Sequence, residues 1–171
     1  MSDLGGLEEL VDHLADDGSV IGSVTRRTMR RGNLLHGAVF IAVVNTRGEL
    51  AVHRRAAWKD LWPSWWDLAF GGVLQAGEGF DEAARRELEE ETGSRAPLVR
   101  LGTTTYADTK VREIAHLYLA RDDGPFSFPD GEVAELAWVP LDEVPAWAGT
   151  REVCLDSLSL VVPLLGSIEW R

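Results

Sequence analysis

Apolar and polar positions change character along this chain at residue 36. Before it the spacing is mixed. Residues 7–15 follow neither a helical nor a strand period, Asp16-Asp17-Gly18 reads as a turn, and Val20 to Thr25 as a short strand. Arg26 to Arg31 is a basic cluster suited to one helical turn or a loop. From Gly37 to Val44 the run is continuously apolar, as in a strand buried on both faces. Asn45-Thr46-Arg47-Gly48 is a hairpin turn, and Glu49 to Arg55 alternates as the returning strand. Residues 56–64 form a loop, and Trp65 to Phe70 reads as a strand running into Gly71-Gly72. The period then becomes helical from Phe80 to Thr92, with Gly93 as the stop. Pro97 to Tyr106, Val111 to Arg121 and Glu132 to Val139 read as strands. Leu141 to Ala148 and Arg151 to Leu165 read as helices.

Strands and helices interleave without a regular βαβ alternation, which predicts an α/β protein with a mixed sheet flanked by helices. A length of 171 residues suits one domain, residues 36–171, with residues 1–35 as an arm packed on it. Apolar residues at 45% and charged residues at 26% are ordinary for a globular chain. No apolar run approaches the ~20 residues that span a bilayer, and the acidic N-terminus lacks the pattern of a signal peptide.

Charge narrows the partners. With 28 acidic and 17 basic residues the net charge is −11, which repels nucleic-acid backbones and anionic membranes. Cys154 is the single cysteine, so no internal disulfide or cysteine zinc site forms. That fits a reducing cytoplasm.

The candidate chemistry lies between Gly72 and Gly93. Positions three and four apart share a helix face, so Glu87, Glu90 and Glu91 form one acidic stripe while Ala83, Ala84 and Leu88 face a sheet. Like charges so placed repel by about a few tenths of a kcal/mol per pair, and their pKa values rise unless a cation joins them. An all-oxygen donor set suits Mg²⁺, Mn²⁺ or Ca²⁺ rather than zinc. An acidic stripe alone is more often a solvated helix face; the complete spacing changes that reading.

Gly72, Glu78, Arg86, Glu87, Leu88, Glu90, Glu91 and Gly93 stand at the specified places of the Nudix box, and only Ser94 departs, where an apolar residue is usual. The chain resembles the Nudix superfamily on these residues. His36-Gly37-Ala38-Val39, Asn45-Thr46-Arg47-Gly48, Arg54-Arg55, Lys59-Asp60, Pro63-Ser64-Trp65-Trp66-Asp67 and Gly71-Gly72 resemble the branch nearest isopentenyl diphosphate isomerase, and the tail from Gly131-Glu132-Val133 to Trp138-Val139-Pro140 resembles the late strand of the same fold. The likeness covers roughly residues 20–145, with the box at 72–94. It implies an α/β/α sandwich and Mg²⁺-dependent (or Mn²⁺-dependent) hydrolysis of a nucleoside diphosphate derivative.

On that resemblance Glu87, Glu90 and Glu91 hold the metal, and Glu90, then Glu87, is the expected general base. Arg86 orients a box carboxylate, and Glu78 anchors the loop or supports the metal ligands. Gly71 and Gly72 let backbone approach the diphosphate. Glu132 is the candidate for a further catalytic carboxylate, set against a plain loop residue. Glu113 is a weaker one, expected to be solvated. Arg54 and Lys59 are expected to bind phosphate, although Arg54 and Arg55 alternate faces and only one points inward. Trp58 and Trp62 are candidates for a substrate mouth. His36, His53 and His116 read as structural, and the Arg26–Arg31 cluster as paired with local carboxylates. The partner implied is a small nucleotide or other diphosphate, with a homodimer as a common family assembly.

Two other readings are weighed. An isopentenyl diphosphate isomerase needs a cysteine just before the box glycine and a histidine just after it, where this chain has Gly71 and Val73. A nucleotide-sensing module on the same scaffold usually loses box carboxylates, and all are present here. An RNA-sized substrate is disfavoured by the charge.

Overall fold

The computed structural model describes residues 4–168; the outermost residues of the arm and domain assignments, 1–3 and 169–171, lie outside the described residues. The chain opens with a one-turn helix α1 (Leu4–Leu7), strands β1 (Leu10–Leu14) and β2 (Val20–Thr25), and helix α2 (Arg26–Gly32). β1 and β2 pair antiparallel in a separate ribbon. Residues 7–15 thus hold a strand that mixed spacing hid, because an irregularity between His13 and Leu14 puts its buried residues Val11 and Leu14 three apart. Val11 and Met29 join Val73 in a small cluster that fastens this segment to the main body. Thr25 caps α2, its side chain accepting from the Thr28 amide.

The main sheet has seven strands. Its path runs β5 (Trp66–Asp67), β4 (Glu49–Arg55), β3 (His36–Val44), β8 (Arg112–Arg121) and β7 (Leu98–Ala107), with β6 (Phe70–Val73) on β3 and β9 (Val133–Pro140) on β4. β3 and β8 are parallel and the other pairs antiparallel, so the sheet is mixed. All nine residues of β3 are buried, as its continuous apolar run requires. β3 meets β4 only at Val44 and Leu50; β6 takes its place along Ala38 to Ile41.

Helix α3 (Phe80–Thr92) packs Ala83, Ala84 and Leu88 against Val39, Ile41 and Val43 on one face. On the other face α4 (Val144–Ala148) and α5 (Leu155–Leu165) cover Ala38, Phe40, Ala42, Leu50 and Val52. These are the three layers of an α/β/α sandwich. No helix among the described residues is long and apolar enough to cross a membrane.

Several boundaries differ from the pattern-based expectation. The strand expected over Trp65 to Phe70 is two short ones, because Leu68 and Ala69 turn inward to the core. The helix expected from Arg151 begins at Leu155. The preceding residues bridge to the sheet instead, where the Trp66 amide donates to the Glu152 carbonyl and the Cys154 amide to the Trp66 carbonyl. The helix expected from Leu141 begins at Val144, and β9 runs one residue further, through Pro140.

Candidate active site

α3 carries its acids on two edges of the buried stripe. Glu91 is fully inside, among Ala84, Leu88 and Thr92, and its Oε2 accepts from the Gly71 amide at 2.8 Å. Gly71 lies at φ +145°, and a Cβ there would stand 2.0 Å from the Val39 carbonyl oxygen, so only glycine fits. At Gly72 a Cβ would meet Glu87 Oε1 at 2.6 Å. The two glycines let β6 approach α3 closely enough to bring Glu87 and Glu91 against the sheet.

Arg86 organises the box. Its Nε and Nη2 donate to the two oxygens of Glu78 at 2.7 and 2.8 Å, and its Nη1 donates to Glu87 at 2.8 Å and to Glu90 at 3.1 Å. Glu78 also accepts from the Gln75 amide at 2.9 Å, so it anchors the loop between β6 and α3. Burial alone would raise the Glu78 carboxyl; the Arg86 and Gln75 hydrogen bonds overcome it and hold the group below the usual range.

The opposite holds for the deeper acids. Burial pushes Glu87 up to about 7 against the pull of Arg86, with Glu90 and Glu132 adding repulsion. Burial and the charges of Glu87 and Glu132 push Glu91 well above the ordinary value. Glu132, just before β9, therefore lies within electrostatic reach of both. Its Oε2 accepts from Lys59 Nζ at 2.6 Å, and Lys59 is only 6% exposed.

The donor chemistry fits a hard divalent cation: every ligand atom on offer is a carboxylate oxygen, and the buried acids lack enough positive charge. Among the described residues, no three acidic, histidine or cysteine side chains are already gathered as a ligand set. Arg86 sits between Glu87 and Glu90, and Lys59 holds Glu132. A cation would enter by displacing these two protein cations from the carboxylates.

Other expected residues fall differently. Arg54 lies on the exposed surface, paired at 3.2 Å with Glu135, its cross-strand neighbour, and is not brought into the site. The register shifts between Arg54 and Arg55, and Arg55 is the one turned inward, 3.3 Å from Asp67. Glu113 is not solvated: it is 3% exposed. Trp62 is buried beside a cavity, whereas Trp58 is half-buried near Lys59. Burial holds His36 and His53 at about 4, hence neutral, and His53 stacks on Phe70. His116 stacks on Phe80. Arg26 and Arg27 pair with Glu9 and Glu8, but Arg30 reaches to the distant Asp60.

The cavity that Trp62 lines was not legible in the sequence. Arg30, Arg55, Asp67, Glu113 and Asp156 also line it, and it meets the box at Lys59, Gly71 and Gly72. Its acids come from β5, β8 and α5, far apart along the chain.

A mixed-sheet sandwich with a Glu-bearing helix packed against paired glycines defines a class of phosphoanhydride-cleaving hydrolases. The comparisons agree. The family model for the NUDIX domain matches residues 34–156, and the chain belongs to that family. It is 37% identical over 139 residues to the uncharacterized Nudix hydrolase YfcD of Salmonella typhi, covering 81% of this chain and 76% of that one. The crystal structure of DR0079 from Deinococcus radiodurans superposes with a TM-score of 0.77 at 23% identity, covering 93% of this chain and 98% of that one. The NUDIX domain of Shewanella oneidensis NrtR, solved with ADP ribose, does so at 0.61 and 17%, covering 78% and 86%. Hydrolases of this family generally use divalent metal ions.

Proposed function

We propose that this protein hydrolyses a phosphoanhydride bond in a nucleoside di- or triphosphate or related nucleoside diphosphate derivative, by attack of water on phosphorus. One observation carries the reading: Glu87 and Glu91 stand against the Gly71-Gly72 wall within electrostatic reach of Glu132, their pKa values raised chiefly by burial and further by neighbouring carboxylates. Acids kept together at such a cost are characteristic of functional sites. Glu87, Glu90 and Glu91 would hold Mg²⁺ or Mn²⁺, which when bound neutralises phosphate oxygens and activates water.

The chain's own residues divide the remaining work. Glu90, the most exposed of the three box acids, would take the proton from the attacking water. Arg86 orients Glu87 and Glu90 through one nitrogen while its other two anchor on Glu78. Lys59 would exchange Glu132 for a phosphate oxygen, leaving Glu132 free to act beside Glu87 and Glu91. The ADP ribose held by the NrtR domain supports a small nucleotide as the ligand class. All box carboxylates being in place favours turnover over sensing.

The test is a panel. Nucleoside mono-, di- and triphosphates, dinucleotides, nucleotide sugars and isopentenyl diphosphate are offered with Mg²⁺ or Mn²⁺ at mildly alkaline pH, with Glu90→Gln as the blank. Metal-dependent release of a nucleoside monophosphate from one class is the expected result. Silence across the panel with metal binding intact would overturn the reading.

A further inference from the structure

The cavity beside the box carries groups that the hydrolytic reading leaves unused. Glu113, on β8, lines it, and its Oε1 has no hydrogen-bond partner. A buried oxygen left so is costly unless a ligand satisfies it. Behind it stands His36, its register neighbour on β3. His36 Nδ1 is 2.9 Å from the Leu34 carbonyl, which only accepts, so Nδ1 carries the proton and Nε2 is bare. That Nε2 also has no partner and faces Glu113 Oε2 at 3.8 Å. The remaining polarity follows. At 3.8 Å the pair makes no direct hydrogen bond, yet a proton on Oε2 is the placement that complements the bare Nε2, with Oε1 as a carbonyl-type acceptor. Burial and the nearby Asp156 keep Glu113 well above the ordinary carboxyl range, consistent with that proton. The free volume is about 70 Å³, on the order of five waters, which suits the edge of one planar ring.

We propose that this cavity receives the nucleobase of the substrate and that Glu113, positioned by His36, selects a base whose edge carries an exocyclic amino group. The inference rests on the box handling a nucleoside diphosphate derivative. Lys59, Gly71 and Gly72 wall both spaces, so a diphosphate at the box delivers its base end to the cavity. An amino group donates to Oε1. A base with a carbonyl at the same position sets one acceptor against another and leaves both unpaired. Asp156, at the first turn of α5 and electrostatically close to Glu113, is a second acceptor for the same edge.

Calorimetric binding of matched nucleoside monophosphates tests this without requiring hydrolysis. CMP against UMP, and AMP against IMP, exchange an exocyclic amino group beside an accepting ring nitrogen for a carbonyl beside a ring N–H. Wild type is expected to favour the amino member of each pair by about tenfold or more. Glu113→Leu is expected to bring both ratios near one. Glu113→Gln should retain them, because its amide N–H complements the bare His36 Nε2 and its carbonyl keeps the place of Oε1. Ratios near one or reversed in the wild type, no binding of any of the four, or ratios unchanged in Glu113→Leu, would overturn the inference. The two readings fail separately: amino preference in binding with no diphosphate hydrolysed removes only the hydrolase, while hydrolysis with equal use of CDP and UDP removes only the base pocket.

Discussion

The Glu87 carboxylate occupies the place a side chain on residue 72 would take: a Cβ on Gly72 would come within 2.6 Å of Glu87 Oε1. One turn further, Glu91 receives the Gly71 amide, so two glycines and two glutamates define the contact between β6 and α3.

The two glycines predict different outcomes. At Gly72 an alanine meets the flexible end of Glu87, which swings away. Gly72→Ala should keep a melting temperature within a few degrees of wild type while turnover falls, on the order of tenfold or more. At Gly71 an alanine meets the Val39 backbone at positive φ, with nothing able to give. Gly71→Ala should lose roughly 2–4 kcal/mol of stability. Thermal unfolding and steady-state rates on both variants check the contrast.

Stability should fall as pH rises from 6.5 to 8 in metal-free protein. Glu87 and Asp156 are both raised to about 7, and Glu91 is raised well above the ordinary carboxyl range, each chiefly by burial. Above 6.5 the unfolded chain has these acids ionised while the folded one still holds protons, so stability drops as they ionise in place. The depressed histidines His36 and His53 work in the opposite sense, adding stability as pH rises from about 4, with most of their effect complete within about a unit above 6.5. Melting temperature across that window should fall by several degrees, and less in Glu91→Gln. A rise would contradict the burial of these acids.

A divalent cation should reverse that loss. Mg²⁺ or Mn²⁺ at about a hundred times its dissociation constant stabilises by roughly 2.7 kcal/mol, worth about 2–4 °C for each kcal/mol in a chain this size. A chelator should remove the shift, and Glu91→Gln should abolish it. No shift at several millimolar would mean that Arg86 and Lys59 keep the carboxylates.

Neighbouring arginines should also part company. Arg54→Ala removes a surface pair with Glu135 and should cost about 0–1 kcal/mol. Arg55→Ala strands the buried Asp67 and should cost roughly 3–5 kcal/mol. Denaturant unfolding of the two variants measures the difference.

What was legible follows from periodicity. β3 announces itself by an unbroken apolar run, and α3 by its 3.6 period ending at Gly93, which closes the helix at φ +72°. The acidic stripe could be placed on one helix face because its spacing is local. Glu113 could not, since its setting beside His36 and near the charges of Arg30 on α2 and Asp156 on α5 is brought together by the fold alone. Nor could the choice between Arg54 and Arg55, which depends on an irregular register against β9. The late start of α5 reflects the bridge from Val153 to Trp66, a tertiary demand that overrides local propensity.

Hydrolysis in ¹⁸O-labelled water, with the best substrate from the panel, shows whether water attacks phosphorus at this site. One labelled oxygen is expected in a phosphate-bearing product, formed only with divalent metal. Glu90→Gln should lose roughly 10²–10⁴-fold in rate, with metal-free melting unchanged or slightly raised. Unlabelled phosphate, metal-independent release, or near-normal turnover in Glu90→Gln would contradict metal-dependent attack of water with Glu90 as the base.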